Sequence, residues 1–133
     1  MKQQTISVRG SVAKHIDLGF TQLEVHDNFV ISRTEEGETL TLAKHEQMMT
    51  AIHPYLDGRF YLILDEVFSY AIDLDVLFSL RDNQTVSAIC IVAYRDSTRL
   101  VLESTRDIIN KPVFFFESLE TATLFVTHDQ TEE

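Results

Sequence analysis

Apolar and polar positions along the chain fall into two alternating patterns. Residues 60–64, Phe-Tyr-Leu-Ile-Leu, form an unbroken apolar run, and residues 86–94 form a second one rich in Val and Ile. Runs of this length and composition read as strands covered on both faces, the mark of a parallel sheet. Between and around them, apolar residues recur every three or four positions. Leu42, Met49, Ile52 and Leu56 predict a helix over roughly 41–56, opened by Thr39 or Thr41 as a cap and closed by Pro54 and Asp57-Gly58, with Lys44, Glu46 and Gln47 turned outward. Asp73, Leu74, Val76, Leu77 and Leu80 predict a second helix ending at Asp82-Asn83. Asp96-Ser97 caps a predicted helix over 98–109, which Asn110-Lys-Pro112 breaks. Val113-Phe-Phe-Phe116 reads as a short strand covered on both sides, and Ser118 caps a last helix presenting Leu119, Ala122, Phe125 and Val126.

The amino-terminal part is different. Residues 18–25 and 29–33 read as two strands joined by His26-Asp27-Asn28, whose Asp and Asn suit a turn, so an antiparallel hairpin is predicted. Thr34 to Glu38 form an acidic loop. Residues 1–16 carry loosely spaced Ile6, Val8, Val12 and Ile16 and read as an arm or edge strand. The division expected is therefore an arm over 1–16, one domain over 17–127 and a fraying acidic tail over 128–133. A hairpin followed by strands alternating with about four helices predicts an α/β domain with a mostly parallel central sheet and an antiparallel edge.

At 133 residues the chain suits one domain, able to bury roughly two-thirds of the surface exposed on unfolding. The net charge of −10 repels nucleic-acid phosphates and anionic membranes. Residues 1–16 hold Lys2, Arg9 and Lys14 and no acid, so the other 117 residues carry −13 (−10 minus +3). The arm lacks the apolar core of a signal peptide, and no run is long enough to span a bilayer. A cytoplasmic protein with no nucleic-acid or membrane partner is expected. The one cysteine, Cys90, excludes an internal disulfide and a Cys-based zinc site, and its apolar surroundings predict an inert buried thiol.

Several chemistries are weak or absent. No glycine-rich phosphate loop and no Gly-x-Ser-x-Gly elbow occurs. His45-Glu46 begins like a zinc-protease motif, but Met49 stands where the second histidine belongs. His45, Met49 and His53 share one helical face. A soft-metal site is the sharper reading, and a partly exposed amphipathic face the favoured one, because no acid or cysteine completes the set. Arg95, Arg99 and Arg106 make a local basic patch, expected to pair with Asp96, Glu103 and Asp107. Asp65 and Glu66, followed by Asp73 and Asp75, suggest either a metal-binding carboxylate cluster or solvated loop acids, with the latter favoured. Lys111 resembles a phosphoacceptor-domain lysine, but it precedes a strand where that arrangement needs it to follow one.

Leu62-Ile-Leu-Asp65 followed by Ile72-Asp73, then Val86-Ser-Ala-Ile-Cys-Ile-Val92 with Asp96-Ser-Thr-Arg99, then Asn110-Lys-Pro112 running into Phe114-Phe-Phe-Glu-Ser-Leu-Glu-Thr-Ala122 resemble the STAS or SpoIIAA-like domains over residues 17–127. Small uncharacterised bacterial members are the nearest in pattern. The resemblance implies a non-enzymatic regulatory or protein-interaction module of the bacterial cytoplasm, without cofactor or metal. Anti-sigma-factor antagonists of this type carry a phosphorylated serine in an Asp-Ser-Ser-Gly-like segment. Asp73-Leu-Asp-Val76 stands there in this chain, so both hydroxyls and the glycine are missing. Asp75 either imitates a fixed charge or simply suits a helix start. Ser69 is a poorer positional match. The partner-binding surface implied comprises Asp65, Glu66, Phe68, Ser69, Tyr70, Asp73, Leu74 and Asp75. A homodimer through the hairpin edge is also expected. The alternatives are an apolar or lipid-like ligand near the same strand ends and a carboxylate-based, metal-dependent enzyme.

Overall fold

A computed structural model of the chain describes residues 14–65, 71–93 and 106–131. Three strands open it as an antiparallel meander: β1 (Lys14–Asp17), β2 (Thr21–Val25) and β3 (Phe29–Thr34). A two-residue strand, β4 (Thr39–Leu40), leads into helix α1 (Leu42–Ile52). Then come β5 (Phe60–Asp65), β6 (Ala71–Ile72), helix α2 (Leu74–Asp82) and β7 (Val86–Val92). Helix α3 (Arg106–Ile109), β8 (Val113–Phe116) and helix α4 (Leu119–Thr131) complete the described chain. Six strands make one sheet in the order β1-β2-β3-β5-β7-β8, and β3, β5, β7 and β8 run parallel. The predicted mostly parallel sheet with an antiparallel hairpin and four helices is thus observed.

The strands alternate their side chains between two covered faces. On one face Leu23, Val30, Leu62, Leu64, Ile89 and Ile91 meet Met48 and Ile52 of α1, Val76 and Leu80 of α2 and Ile109 of α3. On the other, Phe29, Ile31, Ile63, Cys90 and Val92 meet Ala122 and Val126 of α4. Each such aliphatic side chain contributes roughly 1.5–3 kcal/mol by leaving water, which is why the two apolar runs lie side by side at the centre. Cys90 is fully buried there, and burial pushes its thiol up to about 12, as an inert core thiol requires.

Three expectations are corrected. The strand expected from Leu18 starts at Thr21, because Asp17 to Phe20 form a turn. Gly19 takes a left-handed φ of 88°, and the Gly19 N–H donates to Asp17 Oδ1 at 2.8 Å. Apolar Leu18 and Phe20 had masked that turn. The α-helix stops at Ile52 rather than running to Leu56. Pro54 lacks an N–H and draws His53–Tyr55 into a 3₁₀ turn. The inward face of α1 is His45, Met48 and Ile52, so His45 is fully buried rather than partly exposed. Helix α4 itself runs to Thr131.

Candidate functional site

The site is built at the carboxyl end of β5. Asp65 is its last residue and lies directly opposite Arg33 of β3, so both project from the same face of the sheet. Arg33 Nε donates to Asp65 Oδ2 at 2.8 Å, and Asp65 is 2% exposed. Asp65 therefore ends the strand inside an ion pair, turned into the protein. Glu66, Phe68, Ser69 and Tyr70 lie outside the described residues.

The chain reappears at β6, which pairs in parallel with β4 in a two-stranded ladder. The Ala71 N–H donates to the Glu38 carbonyl and the Asp73 N–H to the Leu40 carbonyl, each at 3.0 Å. That ladder ties the entrance of α2 to the entrance of α1. At the latter, Thr41 is the N-cap, its hydroxyl accepting from the Lys44 N–H at 3.3 Å. The cap is one of the two candidates predicted, but the β4–β6 ladder is new. Two-residue strands carry too little pattern to be read, and Thr39 had served equally well as a cap.

Asp73 is the N-cap residue of α2, but its side chain makes no capping bond. Its carboxylate and that of Asp75 are exposed. Asp75 lies in the first turn, where the positive end of the helix favours an acid. Leu74 and Phe78 are 52% and 38% exposed and stand one helical turn apart. They are two of the four large apolar residues exposed among the described residues, with Tyr55 and Leu124. Below them, Val76 and Leu80 are buried in the core. The helix therefore has an anchored inner face and an apolar, acid-flanked outer one.

The site residues thus separate. Asp65 is a buried, paired carboxylate; Asp73, Leu74 and Asp75 are a surface group. Among the described residues no three His, Cys, Asp or Glu side chains converge as metal ligands. The soft-metal reading of α1 divides in the same way, with His45 buried, Met49 half-buried and His53 exposed. His45 Nε2 is buried without a hydrogen-bond partner, and burial pushes the imidazole down to about 4.

A half-open cavity of about 490 Å³ lined by Met49, Ile52, His53, Leu56 and Phe60, with Asp57, Asn83 and Thr85 among its polar groups, lies at the opposite end of β5 from the Asp65 loop. It contains one Phe and no Tyr, so it is not the aromatic pocket a lipid-like ligand at the carboxyl end would need. Lys111 is at that opposite end too. Its ammonium donates to the carbonyls of Leu80 and Asn83 at the close of α2. Its role there is to cap a helix, far from any acceptor aspartate on β5. None of the described helices is long and apolar enough to cross a membrane.

No protein-family model matches the chain, and no curated protein matches it. Among solved structures, the chain is similar to an uncharacterised protein from Shewanella loihica PV-4, of the DUF3478 family, described as having a SpoIIAA-like fold. The TM-score is 0.55 at 11% identity, over 93% of this chain and 99% of that one. The likeness shows the SpoIIAA-like fold expected from the sequence and extends over nearly the whole of both chains.

Proposed function

We propose that the chain is a non-enzymatic, protein-binding module that resembles anti-sigma-factor antagonist domains but has no phosphorylatable serine at the start of α2. Its contact surface is formed around Asp73, Leu74 and Asp75 and continues along the outer face of α2 to Phe78, while the buried Asp65, paired with Arg33, supports the strand end behind it. The observation that carries this reading is the pair Leu74 and Phe78, exposed one turn apart beside the exposed carboxylates of Asp73 and Asp75. Apolar side chains held on a rigid, well-anchored helix lose little entropy on binding. Flanking acids favour a partner that presents an apolar ridge edged by Lys or Arg. Glu66, Phe68, Ser69 and Tyr70 belong to the same surface in this proposal. Asp73 and Asp75 give that surface a fixed negative charge where related domains switch theirs by phosphorylation.

The test is an affinity capture with wild type, a Leu74→Ala/Phe78→Ala variant and a Leu124→Ala control on α4. A partner held through this surface is lost from the double variant by about tenfold or more and retained by the control. Recovery of the same proteins by all three, or of none by wild type, sinks the proposal.

A further inference from the structure

The amino ends of the parallel strands gather cations at the end of the sheet away from Asp65. Arg59 stands immediately before β5, Arg81 in the last turn of α2 and Lys111 shortly before β8. With Gln84 and Val86 they line an open concavity of about 350 Å³ whose lining holds no carboxylate. Local strand geometry shapes it. The β5–β7 register slips between Phe60 and Tyr61, whose partners are Val86 and Ala88, and the intervening Ser87 donates its hydroxyl to the Phe60 carbonyl at 3.0 Å.

Three cations in one concavity are unusual on a chain of net charge −10. Asp82 beside it is already engaged: Arg81 Nε donates to Asp82 Oδ1 at 2.8 Å and Arg81 Nη2 to Asp82 Oδ2 at 3.2 Å. Three cations against that one carboxylate leave a formal +2. Lys111 uses two of its three N–H bonds on the neutral carbonyls of Leu80 and Asn83, so its charge is not cancelled. Among the described residues Arg59 has no hydrogen-bond or ion-pair partner. Burial first, and then the facing charge of Arg59, hold the Lys111 ammonium below its usual range, with Asp82 acting in the opposite sense. Two cations set against each other cost free energy that a bound anion would release.

We propose that this concavity binds a phosphate group, free or carried on a monoester. A phosphate monoester carries about −1.5 to −2 at pH 7, which matches the local +2. The Arg59 guanidinium offers a fork of donors suited to two phosphate oxygens. The third N–H of Lys111 and the remaining Nη1 donors of Arg81 supply further charge-assisted bonds. Asp82 and the negative end of α2 oppose the anion, so the binding is in the millimolar range. The site uses the other end of the sheet; Arg81 also lies over the Phe78 ring, 5.0 Å from its centroid, so a variant at Arg59 rather than at Arg81 separates this site from the partner-binding proposal.

The test is an NMR titration of the ¹⁵N-labelled full chain with inorganic phosphate, and in parallel with phosphoserine, at ionic strength held constant with sodium chloride. Saturable shifts are expected at the amides of Arg59, Gln84 and Lys111. Arg59→Gln, at an exposed position without a hydrogen-bond or ion-pair partner among the described residues, weakens the binding about tenfold through the lost charged hydrogen bonds. Lys111→Arg, which keeps the charge, binds within a few-fold of wild type. Phosphoserine binding at the same amides identifies a monoester as ligand, and binding of inorganic phosphate alone identifies the free ion. Shifts that sodium chloride reproduces, that saturate elsewhere, or that persist unchanged in Arg59→Gln overturn the proposal.

Discussion

The two ends of β5 solve opposite problems. At the carboxyl end a charge lies inside and apolar groups lie outside: Asp65 is buried against Arg33, while Leu74 and Phe78 face solvent. At the amino end the apolar groups line a cavity, and the charges stand at the rim. Met49, Ile52, Leu56 and Phe60 surround open space, and Arg59, Arg81 and Lys111 line the neighbouring concavity. The difference follows from what enters each end. The carboxyl end is made by segments entering α1 and α2, which the β4–β6 ladder ties together. The amino end is made by helix exits and turns, with residues from the exit of α1 and from the turn before β7 surrounding the cavity. A tied end can hold a surface in fixed shape for a partner; an open end can admit a small ligand.

The largest effect is expected where the carboxyl end is broken from within. Arg33→Ala removes the Arg33 ion pair from the buried Asp65 carboxylate, and removing one member of such a pair costs up to about 3–5 kcal/mol. Arg33 is itself partly exposed (22%), which places the loss toward the lower figure. Asp73→Asn and Asp75→Asn, on the exposed surface of the same end, change stability by less than about 0.5 kcal/mol. Urea unfolding of the three variants measures the contrast directly. Equal effects at all three positions would mean that Asp65 belongs with the surface acids after all.

Next in size is an acid sensitivity placed at His45, in the first turns of α1. Its folded value of about 4 lies below the ordinary 6.5 because the imidazole is buried. Above pH 6.5 both folded and unfolded chains hold it neutral, and it adds no pH dependence. Between pH 6.5 and 4 the unfolded chain takes up a proton that the folded one refuses, so stability falls as the pH falls. The loss is complete below about pH 4. At 1.36 kcal/mol per unit its ceiling is about 3 kcal/mol. His45→Leu removes both the titration and the unpartnered Nε2. Urea midpoints measured from pH 7 to 4 are expected to fall less steeply for this variant. An unchanged slope would assign the acid sensitivity to other groups.

How much of this was legible in the sequence depended on whether the signal was local. The runs at 60–64 and 86–94 announced buried strands because both faces are covered, and Thr41, Ser118 and Asp73 marked helix starts by chemistry confined to one turn. The order of those elements carried the resemblance to SpoIIAA-like domains. Pairings distant in sequence were not legible. Nothing near Asp65 names Arg33, thirty-two residues away across a parallel ladder. Arg59, Arg81 and Lys111 meet only because the sheet brings three separate turns to one end. Residue type also misled. A histidine at position 45 read as half-polar, so the inner face of α1 was drawn through Leu42 and Met49, one step around the helix from where it lies.

The smallest effect has the opposite sign and tests the openness of the amino end. Gly58 lines the large cavity, and a Cβ built there meets nothing within 4 Å. Its φ does not fall in the left-handed region, so alanine fits the existing backbone. Gly58→Ala restricts the unfolded chain and is expected to stabilise by about 0.4–1 kcal/mol. Gly19→Ala meets equally open space, but its φ of 88° makes alanine strained, so it destabilises by about 1 kcal/mol. Thermal melts of the pair separate free volume from backbone strain. A destabilised Gly58→Ala would show that the amino end is more tightly constrained than its cavity implies, and would weaken the contrast between a tied end and an open one.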